Sequence, residues 1–453
     1  MRDRWLWSIL VVALTLRISP AVLWPMTDCI RDECIYRAIA FKIVEGHGLT
    51  VSSKGWLPAP GYPYMLAWSK MILGHMQAIK ILQVIASTAS VGLLYGVAHL
   101  VSGRKVARIA AALIALNPTI AWFATTMWIE TFYVFFLLFA GLAVLWAHRS
   151  GGVASAFGGG VALGVAVLFR GIATYLPPLF LLALAWPGAL TGGWGRAVQQ
   201  RWRLLAAFVL GLVLTVAPYS IHASARHGGF MVTDATVGHV LYLGNNDFPP
   251  LTFDYGNGML TQPIFSSYLK SGRRMCNRKG PPVLSSRCDA SRAVDWIRAH
   301  PREFVSRIPM RLAQNLNPNS FLTRHVRWGY WPGAPWWFRE AIVQLIIVFG
   351  SATMVLGTLT AWARARGPWA FIAAGTVLYT MATTALMYGM SRFRLPLDVL
   401  WTVYLAMFLA DPRGTFTALR DSPPRLVGAL STLPPLIALM LWYLPTGFPL
   451  FWR

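Results

Sequence analysis

Two short polar stretches and a scatter of arginines stand out from an otherwise apolar chain. The first stretch runs Asp28-Cys29-Ile30-Arg31-Asp32-Glu33-Cys34-Ile35-Tyr36 and sets three carboxylates close together. A carboxylate held within hydrogen-bond reach of an attacking hydroxyl or amine takes its proton. Asp32 and Tyr36 are spaced i, i+4, so a helix beginning here puts a base and a phenol on one side. Asp32 is the expected base, Asp28 the alternative, and Glu33 is expected to orient Asp32 or an arginine. The plain reading of the same cluster is a helix first turn, which acidic residues favour.

Arg392 and Arg394 lie in Ser391-Arg392-Phe393-Arg394-Leu395-Pro396, and Arg170 closes another apolar run. Guanidinium groups bind phosphate oxygens in a fork, so the three suit a leaving group whose negative charge grows as it departs. Their plain reading is snorkelling toward headgroups. Glu130, in Thr126-Met127-Trp128-Ile129-Glu130, sits at the end of an apolar run where a carboxylate is costly, so it is either functional or a paired structural group. His47, Tyr62, Asn245 and Asn246 are second-tier candidates for substrate contact, with ordinary loop structure equally open. Arg17, inside the first apolar run, is expected to snorkel outward or to pair with a carboxylate. No Asp-x-Asp pair is present to hold a divalent ion, so the arginines are expected to take its place, with no metal site and no cofactor.

These groups need elements to hold them, and the composition says which. Hydrophobic residues make up 56% of the 453 and charged residues 12%, too little polar material to cover a soluble core of that size. About eleven stretches approach the roughly 20 apolar residues that a spanning helix needs. They fall at roughly 5–24, 78–101, 107–124, 127–147, 153–170, 172–190, 204–222, 339–363, 368–389, 395–410 and 426–446. The expected fold is an all-α polytopic membrane domain with a partly helical layer on one face. The first span reads as a retained signal anchor over residues 1–24. Spans five and six meet at a tight Arg170-Gly171 turn, with one kinked or re-entrant segment as the alternative.

Lys and Arg total 40 against 16 Asp and Glu, a net charge of +24. Short basic loops stay cytoplasmic, which puts two long polar segments, 25–77 and 223–338, on the other side, with spans at 78–222 and 339–453 between and after them. In such a chain the charge favours anionic lipid over nucleic acid. Cys29, Cys34, Cys276 and Cys288 all fall in the two long segments, as an oxidising compartment would have it. Disulfides Cys276–Cys288 and Cys29–Cys34 are the expectation; metal binding is the weaker alternative, since no His stands at ligand spacing. In the second segment a helix is expected from Asp289, broken at His300-Pro301 and resuming to about Leu316. Tyr330-Trp331 and Trp336-Trp337 suggest an amphipathic shelf.

The order of these motifs resembles that of the GT-C superfamily of lipid-linked-sugar glycosyltransferases, in particular the protein O-mannosyltransferase and aminoarabinose-transferase branch. The resemblance rests on Asp32-Glu33-Cys34-Ile35-Tyr36, Gly46-His47-Gly48, Pro60-Gly61-Tyr62-Pro63-Tyr64, Asn117-Pro118 with Thr126 to Glu130, Gly164 to Arg170, Ala217-Pro218-Tyr219, Gly244-Asn245-Asn246 and Ser391 to Pro396. It implies that Asp32 is the catalytic base, that the donor is a polyprenyl-phosphate sugar, and that the site faces outward from a bacterial inner membrane. The acceptor would be an envelope lipid, glycan or protein. The chain departs from the aminoarabinose branch where Leu57-Pro58-Ala59-Pro60 replaces a Glu-Lys pair, with Lys54 displaced. It lacks the large luminal domain of the mannosyltransferases and the Trp-Trp-Asp signature of oligosaccharyltransferases. The rival classes are a transporter or flippase of lipid-linked glycans and an O-antigen polymerase or ligase. Transporters concentrate broken helices and ionisable groups at mid-membrane and carry repeats; this sequence has no repeat and gathers its charges in loops.

Overall fold

The computed structural model describes residues 3–26, 29, 32–52, 57–188, 193–247, 276, 280–318, 321–328 and 331–441. These form helices and turns, with no strand among them. In chain order the first helices are α1 (Arg4–Leu23), α2 (Asp32–Val44), α3 (Gly61–Leu73), α4 (Ile79–Ser102), α5 (Arg104–Leu116) and α6 (Pro118–Thr125). Then come α7 (Glu130–Ser150), α8 (Val153–Phe169), α9 (Pro177–Leu184), α10 (Gly193–Arg226), α11 (Val237–Gly244), α12 (Pro282–Ala299), α13 (Pro301–Leu316) and α14 (Phe321–Trp328). The last are α15 (Trp336–Arg364), α16 (Pro368–Leu386), α17 (Leu395–Ala410), α18 (Pro412–Arg420) and α19 (Pro423–Leu441).

Eight of the described helices are long and apolar enough to cross a membrane, and α5 with α6 makes a ninth if the bent pair is one span. The expected eleven differ from this at 107–124, at 172–190 and at 153–170, where α8 with 17 residues is just short of that length. Residues 107–124 are not one straight helix but two, bent by 51°. Pro118 has no N–H to continue α5, and the Asn117 side chain accepts from the N–H of Thr119 at 2.9 Å to start α6 afresh. Residues 172–190 contain a 3-10 turn, Gly171–Tyr175, and then α9 with 8 residues. At 1.5 Å per residue such a helix reaches about 12 Å, far short of a hydrocarbon core of roughly 30 Å.

The bundle closes tightly where small residues meet. A side chain at Gly160 would run into the Phe208 carbonyl, and one at Gly211 into that of Phe157, so α8 and α10 touch backbone to backbone. At the end away from α2, Asp3 caps α1 and accepts from Tyr95 at 2.8 Å and Arg108 at 2.9 Å. The Arg108 guanidinium, with help from Tyr95 and the Trp5 N–H, pulls the Asp3 carboxyl down to about 2. Arg364 and Asp411 pair at 2.6 Å at the same end. Arg17 does neither of the things expected of it. Fully buried, it donates to Ser87 Oγ at 2.7 Å and to the carbonyls of Ala13, Ile114 and Ala115 at 2.9–3.2 Å. It thus satisfies the end of α5 at the break, where no water reaches.

The opposite end carries a polar layer built from α2, α3 and α11 to α14. Both cysteine pairs are bridged, Cys29 to Cys34 and Cys276 to Cys288. α12 begins at Pro282, ahead of the expected Asp289, because proline suits a first helical turn; the break at His300-Pro301 falls where expected. Trp331 is buried against Trp24 and Phe338 and so leaves the expected shelf, whereas Trp336 and Trp337 are exposed at the start of α15. Tyr330 and Lys54 lie outside the described residues.

Asp289 ties this layer together. Fully buried, it accepts from the His239 ring on α11 and from the Cys276 N–H at 2.9 Å. Removing one member of a buried pair strands the other, so Asp289→Ala should cost about 3–5 kcal/mol of stability. Denaturant titration of the detergent-solubilised protein reads this loss, and an unchanged midpoint would show that the pair is dispensable.

Candidate active site

Asp32 opens α2, and the Cys29–Cys34 bridge closes a five-residue separation around it. Both features fix the carboxylate at the rim of the layer. Arg392 arrives from 360 residues away on the 3-10 turn Ser391–Arg394, and its Nη1 donates to Asp32 Oδ2 at 2.9 Å. The Arg392 guanidinium also lies over the Trp128 ring, 5.2 Å from its centroid. Cation and indole face each other with little water between, which strengthens both the stacking and the ion pair.

A second pair stands beside the first. Arg170, which caps α8 after Phe169, puts Nη1 3.7 Å from Glu130 Oε1 at the first position of α7. That separation is an ion pair but not a hydrogen bond. The Arg170 Nη1 and Glu130 Oε2 atoms are buried without a hydrogen-bond partner. Arg170 and Arg392 approach the Phe393 ring at 5.3 Å and 5.6 Å from its centroid, so the two guanidinium groups share one aromatic wall.

Tyr36 joins the two pairs. Its phenol is pushed up by burial and by the Asp32 carboxylate, with Arg392, Glu130 and Arg170 also close enough to act on it. Tyr388, pushed up chiefly by burial, feels Arg392, Asp32 and Arg170. Both phenols therefore remain protonated donors through the neutral range. Tyr62 does not face the carboxylates directly: it packs edge-on against Tyr36 with centroids 5.4 Å apart and donates to Gln83 Oε1 at 2.7 Å.

Backbone contacts hold these side chains in place. Glu33 is buried and accepts from the Met127 N–H at 2.6 Å, so what it orients is the 126–130 segment that carries Trp128 and Glu130. Gln83 grips the same segment, donating to the carbonyls of Phe123 and Thr126. The Asp234 carboxylate accepts from the Gly171 N–H and packs so closely there that no side chain fits at Gly171, which fixes the turn after Arg170. Gln83, Trp128, Asp234 and Tyr388 carried no assigned role in the sequence. A glutamine inside the apolar run of α4 was the one available signal, since buried amides need partners.

Other expected site residues lie elsewhere. Arg394 points away from Asp32: its Nε pairs with Asp398 at 3.0 Å and its Nη1 donates to the Leu316 and Asn317 carbonyls at 2.9 Å and 3.0 Å. The Arg394 donors are thus spent on Asp398 and two helix-end carbonyls, while Arg392 pairs with Asp32. His47 is exposed beside Glu45 at 3.5 Å. Asn245 and Asn246 are buried; their amides donate to the carbonyls of Leu241 and Leu386, and of Tyr242 and Leu243. Asp28 lies outside the described residues. Among the described residues no three His, Cys, Asp or Glu side chains converge on a metal position.

The comparisons agree with this architecture. Residues 58–222 match a family model described as dolichyl-phosphate-mannose-protein mannosyltransferase. The match takes in Glu130 and Arg170 but stops short of Asp32 and Arg392. No curated protein matches the chain by sequence. In fold, the chain resembles the archaeal oligosaccharyltransferase AglB from Archaeoglobus fulgidus, solved with an inhibitory peptide and a dolichol-phosphate. There the TM-score is 0.51 at 15% identity, over 98% of this chain and 56% of that one. The apo form of the Archaeoglobus fulgidus enzyme gives 0.51 at 14% identity, over 97% and 56%. ArnT from Cupriavidus metallidurans bound to undecaprenyl phosphate aligns at 0.43 and 16% identity, over 90% of this chain and 78% of that one. The chain thus spans about half the length of AglB. The partial family match and the shared fold make the chain similar to membrane glycosyltransferases that use lipid-linked sugars.

The two arginines of the 391–394 turn have separable roles. Arg394→Gln should destabilise the fold by about 3 kcal/mol, since it strands the largely buried Asp398 and two helix-end carbonyls. Thermal unfolding of Arg394→Gln and Arg392→Gln side by side checks this, with the larger loss expected at 394.

Proposed function

We propose that this chain transfers a sugar from a polyprenyl-phosphate carrier to an envelope acceptor on the outer side of a bacterial inner membrane, with Asp32 as general base. The carrying observation is the meeting of Asp32 with Arg392 beside Arg170, Glu130 and the half-buried Tyr36. A base and two forked cations at one site are what a phosphate-leaving displacement requires.

In the step proposed, the acceptor hydroxyl or amine gives its proton to Asp32 as its oxygen or nitrogen bonds to the anomeric carbon. The bond from that carbon to the carrier phosphate oxygen breaks, and its electron pair leaves with the phosphate. One displacement inverts the anomeric configuration. Arg392 and Arg170 meet the charge that gathers on the phosphate, and Tyr36 and Tyr388 offer hydrogen bonds to it or to the sugar. Glu130 Oε2 and Arg170 Nη1, buried with their hydrogen-bonding capacity unused, support a ligand between them. The outward orientation draws on the positive-inside bias of the short loops and on the two disulfides in the long segments. Nothing about Asn245, Asn246 or His47 in their present contacts favours a role in this step, and Asp28 remains the alternative base.

Mass spectrometry of envelope lipids and glycans from a deletion strain identifies the missing sugar and its acceptor. Complementation with the unaltered gene should restore the product, and Asp32→Asn should lower it by about 10²- to 10⁴-fold, the usual weight of a general base. Full restoration by Asp32→Asn would remove Asp32 from the mechanism and favour a transporter or flippase.

Arginines in place of a divalent ion carry a separate expectation. Transfer by the purified protein should persist in excess chelator. Loss of turnover with rescue by magnesium or manganese would show that a metal shares the charge.

A further inference from the structure

Arg392 needs a fixed position to face Asp32, yet it sits on a short turn between α16 and α17. Its backbone is held from α13, a helix of the polar layer. Arg311 of α13 is buried, and its Nη1 donates to the Ala385 and Leu386 carbonyls at 2.7 Å and 3.3 Å, at the end of α16. Its Nη2 donates to the Gly244 carbonyl at 2.7 Å and to Asn245 Oδ1 at 3.0 Å, at the end of α11. Asn245 in turn donates to the Leu386 carbonyl at 2.8 Å, closing a three-way junction.

No carboxylate pairs with Arg311 among the described residues. Its charge is met by two helix C-termini, each bearing a partial negative charge on unsatisfied carbonyls. Burial pulls its guanidinium down to about 10, which leaves it charged at neutral pH. The contact continues along the chain. A side chain at Gly389 would strike the Arg311 carbonyl, and one at Gly244 the Met387 carbonyl. At the far side of the turn Arg394 donates back to the Leu316 and Asn317 carbonyls at the end of α13. Residues 385–394 are thus gripped at both ends and in the middle by one helix, and Arg392 lies inside the grip.

We propose that Arg311 is a positioning residue, which sets the location of Arg392 against Asp32 by clasping the ends of α11 and α16. Only a planar fork reaches both ends at once; an ammonium keeps the charge and loses one of them. Misplacement of a charged group by about 1 Å costs on the order of a hundredfold where geometry is demanding. The carrier-phosphate role of Arg392 comes from the proposed function, whereas the clasp itself stands on the contacts alone.

The test uses the full chain in detergent or nanodiscs with Arg311→Lys and the harsher Arg311→Gln. Hydrogen-exchange mass spectrometry should show protection lost over 385–394 and unchanged in α1, in at least the lysine variant. Unchanged exchange over 385–394 overturns the clasp. Affinity for undecaprenyl phosphate is then measured in a double-mutant cycle with Arg392→Gln. Arg311→Lys should weaken binding on the order of tenfold to a hundredfold in the unaltered background and by less than twofold in Arg392→Gln. Equal losses in both backgrounds would make Arg311 a general structural residue and defeat the inference. Absence of binding by the unaltered protein would defeat the functional reading instead, and the exchange result alone would then decide the clasp.

Discussion

An aspartate and an arginine separated by 360 residues meet at 2.9 Å, and the candidate site is assembled around that pair. Taking either charge out of water is costly, and their attraction offsets that cost only when geometry is good and the remaining hydrogen-bonding capacity is used. Asp32 gains its place from a helix start and a disulfide. Arg392 gains its place from an aromatic wall, Trp128 and Phe393, and from a turn held by a neighbouring helix. Neither residue would hold its position if the polar layer and the bundle were free to slide past each other.

The same constraint explains why the helices around the site are broken. A chain crossing lipid satisfies its backbone inside its own helices, and departures are tolerated only where protein supplies the missing partners. At the Asn117-Pro118 bend Arg17 caps the end of α5, and at the end of α6 the Gln83 amide donates to the open carbonyls. After α8 the Asp234 carboxylate takes the Gly171 N–H. Each break turns the chain so that a side chain of the candidate site, Trp128, Glu130 or Arg170, enters it from a different direction. The buried arginines and amides that look out of place in a membrane bundle are the means by which its irregular backbone is satisfied.

Arginines consequently act in two ways within one molecule. Arg392 and Arg170 stand beside carboxylates and aromatic rings. Arg17, Arg311 and Arg394 spend their donors on backbone carbonyls. The distinction lies in what surrounds each guanidinium, and five identical side chains offer no sign of it by type. Arg392 and Arg394 stand two positions apart on one 3-10 turn, yet one pairs with Asp32 and the other with Asp398.

The apolar runs, the two polar segments with their cysteines, and the order of the motifs were legible in the chain, because each depends on local composition and on spacing within one helix. Asp32 with Tyr36 could be found for the same reason, as could the Arg170-Gly171 turn and the His300-Pro301 break. What came only with the tertiary structure was every pairing across long separations. Examples are Asp32 with Arg392, Glu33 with the Met127 N–H, Arg311 with two helix ends, and the division of the arginines into those that face the site and those that hold it. The expected spans at 107–124 and 172–190 differ from the structure because mean apolarity does not reveal where a helix bends or breaks when distant groups satisfy its open backbone. Local sequence sets what a segment prefers; which distant group satisfies its open donors and acceptors is a property of packing, and in a membrane those distant groups decide where a helix ends.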